Sequence, residues 1–161
     1  MKNKMTEKLF ELAYTDSMTE VQNRNAYEEC LKKLRKPNAN ISRITVIVVD
    51  VNGLKEINDS YGHFCGDDAI KTVAKALKDT IGTKADIYRI GGDEFVCISE
   101  SNILPYISQF KDTISFIDRE KLYKLAVSIG YSKYHEKYTK SIDDIICRAD
   151  EKMYMDKKSK K

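Results

Sequence analysis

Asp86-Ile-Tyr-Arg-Ile-Gly-Gly-Asp-Glu-Phe-Val-Cys-Ile98 is the stretch on which the fold turns. Two short β-prone runs, Ile87–Ile90 and Phe95–Ile98, flank a Gly-Gly-Asp-Glu turn. Paired glycines between such runs predict a tight hairpin, because a positive φ at the turn costs glycine no Cβ clash. Asp93 and Glu94 come next, and adjacent carboxylates beside a turn repel each other. Upstream, Ile44-Thr-Val-Ile-Val-Val-Asp50 is an apolar run that ends in a third carboxylate. A sheet that sets this strand beside the hairpin brings Asp50, Asp93 and Glu94 together. Three negative charges in one place call for a cation, and hard oxygen ligands select Mg²⁺ or Mn²⁺.

The rest of the chain frames this hairpin. Its 161 residues are about one domain and enough to bury a core. Apolar residues make up 42% and charged residues 33%, an ordinary balance for a globular protein. A net charge of +3 gives no argument for nucleic acid. No apolar run is long enough to span a membrane, and the N-terminus lacks an apolar signal core. Cys30, Cys65, Cys97 and Cys147 lie far apart with no Cys-x-x-Cys pair, so neither zinc nor a redox motif is expected. Three of them read as buried, reduced small hydrophobes, which fits a cytoplasmic protein.

Met5, Leu9, Leu12 and Ala13 mark a short amphipathic helix, read as the end of an upstream linker over residues 1–13. Asn23 is placed to cap a helix running to about Leu34, and residues 36–40 form a loop. Ile44–Val51 has the most buried-looking strand pattern in the chain. A helix opens at Gly53-Leu54-Lys55, and another over Gly66–Ile81 carries apolar residues at spacings of three and four. After the hairpin, Ile103, Ile107, Phe110, Ile114 and Ile117 mark a helix, Tyr123–Tyr134 a strand, and the segment after Ser141 a final helix. The order predicts an α+β fold with a βαββαβ core, a mostly antiparallel sheet surrounded by helices.

Gly91-Gly92-Asp93-Glu94-Phe95 resembles the signature of the GGDEF family, the diguanylate cyclases. Three further stretches are similar to the family's motifs and stand in its order. They are Asp16-Ser-Met-Thr-Glu-Val-Gln-Asn-Arg24, then Asp50-Val-Asn-Gly-Leu-Lys-Glu-Ile-Asn-Asp-Ser-Tyr-Gly-His-Phe-Cys-Gly-Asp67, and Ala149-Asp-x-x-Met-Tyr-x-x-Lys157. Asn52 replaces the family's second Asp and Leu54 its Phe, and neither change removes an expected metal ligand. The resemblance covers residues 14–158, within one domain of residues 14–161, and implies a polymerase-palm or ferredoxin-like arrangement. It implies a nucleotidyltransferase of bacterial second-messenger signalling that condenses two GTP into cyclic di-GMP and pyrophosphate with Mg²⁺ or Mn²⁺, two ions per site.

By that resemblance Asp50 and Asp93 are metal ligands, with the Val51 carbonyl a third. Glu94 either contacts the second ion or helps deprotonate the attacking 3′-hydroxyl. Gly53, Leu54, Lys55 and Gly92 lie against the substrate, Lys55 assisting catalysis, and Lys157 contacts phosphate. Asn58 and Asp67 read the guanine base, Asp67 by accepting from N1–H and the exocyclic amine, a pair that adenine lacks. His63 reads as a hinge or core histidine and Asp59 as a brace for its turn. The implied partners are GTP, a second GGDEF domain in a transient antiparallel homodimer, and an upstream sensory or coiled-coil domain. Other readings stay open: a catalytically silent GTP-binding sensor, a cyclase that also accepts ATP, and a structural module with an acidic hairpin. The P-loop motif Gly-x-x-x-x-Gly-Lys-Ser/Thr does not occur.

Overall fold

The computed structural model describes the backbone of residues 2–160 and the side chains of residues 8–160. Among them the elements run α1 (Lys2–Tyr14), α2 (Arg24–Leu34), β1 (Thr45–Val51), α3 (Leu54–Tyr61), α4 (His63–Ile81), β2 (Asp86–Arg89), β3 (Glu94–Ser99), α5 (Pro105–Asp118), β4 (Val127–Lys133) and α6 (Ile142–Ser159). The four strands form one sheet in the order β2-β3-β1-β4, and every pairing is antiparallel. This is the expected α+β arrangement, with helices on both faces.

β1 is buried along its whole length. Its β-branched residues suit a central strand packed on two sides. Successive side chains point to opposite faces. Ile47, Val49 and Val51 enter the layer built with Val73 and Leu77 of α4 and Phe110 of α5. Val46 and Val48 enter the other, with Tyr27 of α2 and Ile145, Ala149 and Met153 of α6. On β3, Phe95 and Cys97 join the first layer and Val96 and Ile98 the second. This alternation carries Asp50 and Glu94 to the α6 side.

How close α6 comes is set at Gly130 of β4. A Cβ there would stand 1.9 Å from the Ala149 carbonyl oxygen and 2.2 Å from the Met153 nitrogen. Only glycine lets helix and strand meet so tightly. Past Met153, side chains of α6 and of its C-cap residue reach the outer margin of β4. Asp156 accepts from the Ile129 N–H at 2.8 Å, and Lys160 donates to the Val127 carbonyl at 2.8 Å. At the opposite margin, Gln22 exchanges backbone hydrogen bonds with β2, to Ile87 O at 3.0 Å and from Arg89 N at 2.8 Å.

Asn23 caps α2 as expected, its Oδ1 accepting from the Ala26 N–H at 3.1 Å. Ser141 and Asp144 form a capping box at the start of α6. Other expectations need correction. β4 starts at Val127, not Tyr123, because Tyr123 and Leu125 are tied elsewhere, to Asp68 and Asp118. α4 begins at His63, three residues before Gly66, so His63 is an exposed first-turn residue and not a core histidine. Asp59 is exposed within α3 and caps nothing. Of the cysteines only Cys97 is buried, and Cys147 is exposed. In α1, Leu9 and Leu12 are exposed, so the rest of the chain does not cover that apolar face, and the Met5 side chain lies outside the described residues.

Candidate active site

Register puts Asp50 of β1 directly opposite Glu94 of β3. Directly opposed side chains on one face have Cβ atoms about 4.5–5.5 Å apart, and like charges so placed destabilise the pair. Asp93 precedes Glu94, and its carbonyl accepts the Val51 N–H at 2.9 Å. That bond fastens the hairpin tip to the end of β1. Arg89 holds the tip from the other side, its Nη2 donating to the Gly92 carbonyl at 2.8 Å.

These outside donors account for another correction. Neither Gly91 nor Gly92 has a positive φ; among glycines it is found at Gly53 and Gly62. The Ile90 N–H to Glu94 carbonyl bond closes the hairpin around Gly91–Asp93. With the carbonyls of Gly92 and Asp93 held from outside, the chain bends without a left-handed glycine. Gly92 serves instead by its openness: a Cβ there would meet no heavy atom within 4 Å.

Asp50 is buried, with 4% of its surface exposed. The cation beside it is the Lys157 ammonium, which donates to Oδ1 at 2.7 Å and Oδ2 at 2.9 Å. Burial pushes the Asp50 carboxyl up, Lys157 opposes this and Asp93 adds to it, and the net direction is upward. Glu94 is also raised, first by burial, then by Asp93, Asp50 and Asp150. The Lys157 ammonium is strengthened by its hydrogen bond to Asp50. Among the described residues no three acidic, Cys or His side chains converge as a finished ion site. The donor set nonetheless fits a hard divalent cation, since Asp93 makes ionisation of both Asp50 and Glu94 harder and Asp50 adds to the burden on Glu94.

Beside this pair lies a cleft of about 440 Å³ lined by Val51, Asn52, Gly53, Leu54, Lys55, Glu56, Asp93, Lys157 and Lys160. α3 starts at its wall, and Gly53 supplies no side-chain cap, so the first N–H groups of the helix keep their donors for a guest. Asn58 and Asp67 do not line this cleft. They stand at the α3–α4 junction, where Asn58 Oδ1 lies so close to Gly66 that a Cβ on Gly66 would be 1.9 Å away. Asp67 is exposed in the first turns of α4.

Lys160 is a further cleft residue that the motifs do not single out. Its ammonium donates to the Val127 carbonyl and, at 2.6 Å, to Asp156, while lining the cleft. Arg89 was also missed, and an arginine two residues before paired glycines was the available signal.

The profile described as "Diguanylate cyclase, GGDEF domain" matches residues 13–161. The chain belongs to the GGDEF family. This GGDEF chain is similar to the probable diguanylate cyclase DgcI of Escherichia coli, 31% identical over 153 residues that cover 94% of this chain and 33% of that protein. It is also similar to the diguanylate cyclase DgcS of Shewanella oneidensis, 36% identical over 92 residues, 56% of this chain and 31% of that protein. It therefore spans about a third of the length of either relative. Among solved structures, the coiled coil and GGDEF domain of DgcB from Caulobacter crescentus in complex with c-di-GMP superposes with a TM-score of 0.80 at 22% identity. That likeness covers 98% of this chain and 87% of the other. Among the described residues of the GGDEF chain, no helix is long and apolar enough to cross a membrane.

Proposed function

We propose that this chain is an active diguanylate cyclase, joining two GTP into cyclic di-GMP with release of two pyrophosphates. The observation that carries the reading is the Asp50–Glu94 cross-strand pair, with Asp93 beside it, at the mouth of a cleft bearing Lys55, Lys157 and an uncapped helix start. Nucleotidyl transfer needs charge neutralisation and alignment more than covalent help from the protein. Asp50, Asp93 and the Val51 carbonyl would hold the divalent ions, Mg²⁺ or Mn²⁺. Bound there, the ions supply charge neutralisation and a more acidic 3′-hydroxyl.

The chain's own groups do the rest. The N–H groups at Gly53 and Leu54 and the Lys55 ammonium receive the phosphates, and Lys157 joins them. Gly92 leaves room for the nucleotide to lie against the hairpin. Glu94 is placed either on the second ion or to accept the 3′-hydroxyl proton, and its raised affinity for a proton suits the second role. Asn58 and Asp67 read the guanine edge. One site holds one GTP, so two copies face each other with their Gly91–Glu94 hairpins opposed. We assign residues 1–13 to the end of an upstream linker helix, ahead of a cyclase domain of residues 14–161 that works in the cytoplasm.

The deciding experiment is incubation of the protein with GTP and Mg²⁺, followed by identification of the product by mass. Cyclic di-GMP supports the reading. GTP bound but recovered unchanged overturns it in favour of a silent GTP-binding domain.

A further inference from the structure

The Lys157–Asp50 pair joins the phosphate cleft to the ion site through one side chain. Lys157 lines the cleft with Gly53, Leu54 and Lys55, yet both of its hydrogen bonds go to the two oxygens of Asp50. Asp50 is nearly inaccessible, its side chain 5% exposed, whereas that of Lys157 is 34% exposed and has room to move. The helix beneath it does not share that freedom. Asp156 and Lys160, on either side in sequence, pin the last turns of α6 to Ile129 and Val127 of β4. Gly130 seats the same helix one turn earlier. A change of partner by Lys157 is therefore a side-chain movement over a fixed backbone.

We infer that Lys157 is a tethered stand-in for the divalent ion: it neutralises Asp50 until a nucleotide's phosphates draw its ammonium away, which frees Asp50 for the ion. The inference rests on the cyclase reading for the identity of the nucleotide. The physical argument is one of competition. A carboxylate whose two oxygens already accept from an ammonium has lost much of its attraction for a second cation, and a buried one cannot turn to water instead. Phosphate is a rival acceptor of higher charge within the same cleft. Ion and nucleotide then favour each other's binding through Lys157, and the coupling is reciprocal. The free protein resists loading with an ion alone, and the site assembles when substrate arrives.

The test measures Mn²⁺ binding by electron paramagnetic resonance, with and without a GTP analogue carrying a methylene bridge between the α- and β-phosphates. Without nucleotide, Lys157→Met should bind Mn²⁺ on the order of tenfold more tightly than the parent chain, the scale of ordinary coupling between sites. Lys157→Arg, which keeps the charge, should show no such gain. Adding Asp50→Asn to Lys157→Met should remove it. The factor by which the analogue tightens Mn²⁺ should shrink by a similar amount in Lys157→Met. The melting midpoint of Lys157→Met should fall without ions and recover with Mn²⁺. Lys157→Gln carries the same comparison if the Met variant does not fold free of ions.

Unchanged or weaker Mn²⁺ binding in a folded, nucleotide-free variant overturns the exchange, whatever the enzyme makes. Failure of the parent chain to make cyclic di-GMP, with the Mn²⁺ gain present, overturns the cyclase reading and leaves the exchange standing.

Discussion

Arg89 donates from Nη1 to both carboxylate oxygens of Asp16, at 3.1 and 3.3 Å, across 73 positions of chain. The same guanidinium holds the Gly92 carbonyl, so the turn after α1 and the tip of the β2–β3 hairpin share one planar fork. Asp16 is in turn fixed by the Thr19 backbone N–H at 3.0 Å and the Thr19 hydroxyl at 2.6 Å. The pair is mostly shielded, with 13% and 21% of the two side chains exposed. Arg89→Met should lower stability by about 2 kcal/mol, the cost of stranding a shielded hydrogen-bonding group. Thermal melting should show this as a loss of roughly 4–8 °C. Cyclase activity should fall further than stability does, since the Gly92 carbonyl is released as well. Arg89→Lys should rescue stability in part and activity little, because an ammonium cannot span both acceptors. A melting point and a rate equal to those of the parent chain would remove this fork from the mechanism.

The acidic pair should show opposite effects on stability and chemistry. Asp50→Asn and Glu94→Gln each remove a charge that burial and Asp93 disfavour, more than Lys157 offsets. Without divalent ions both variants should melt at the parent temperature or above it. Both should lose at least about a hundredfold in cyclic di-GMP formation, the scale seen when one electrostatic partner of a transition state is removed. Full activity in either variant would refute the site.

Acid stability should trace Asp68. Burial works against its charge, but Lys121 at 2.5 Å and the Tyr123 hydroxyl at 2.6 Å outweigh that and hold the carboxyl below its ordinary value. A depressed carboxyl contributes stability that is complete above its unfolded-state pKa, near 3.9 for Asp. That contribution is lost as pH falls through the lower native value. Asp68→Asn should therefore reduce stability at neutral pH and flatten the decline below about pH 4 in chemical denaturation. An acid limb identical to that of the parent chain would exclude Asp68 as a contributor.

Base choice should move with Asp67. If Asp67 reads the base as proposed, Asp67→Ser removes an acceptor that adenine would leave unpaired, so discrimination against ATP in a mixed GTP–ATP competition should weaken by at least about tenfold. Unaltered rejection of ATP would assign base reading to another residue.

Specific activity should climb with protein concentration, because each product needs two sites. A parallel coiled coil fused ahead of α1 should raise the rate at high dilution by supplying effective concentration. A rate per molecule that stays flat over a hundredfold dilution, with light scattering showing monomers throughout, would defeat the two-copy mechanism.

Much of this architecture could be read from local pattern. The β-branched run ending at Asp50 and the hairpin ending in Glu94 gave the central strands, and once those pair the two carboxylates must share a face. Caps at Asn23 and Ser141 were equally local. What escaped the sequence was non-local. Lys157 reaches Asp50 only because Gly130 admits α6 so close to β4, a distance no periodicity encodes. The Asp16–Arg89 fork depends on the 14–23 turn folding beside β2. The hairpin glycines were misread for the same reason, since donors from Arg89 and Val51 shape that turn from outside.

Strand margins ordinarily present rows of free N–H and C=O groups that invite another chain to add on. Here Gln22 is bonded along β2 on one side. On the other, Asp156, Lys160 and Arg148 occupy Ile129 N–H and the carbonyls of Val127 and Lys133. Sheet extension is thus obstructed at both ends. In the two-copy mechanism proposed above, the copies would therefore meet through loops and helix faces, contacts that can part again after each turnover.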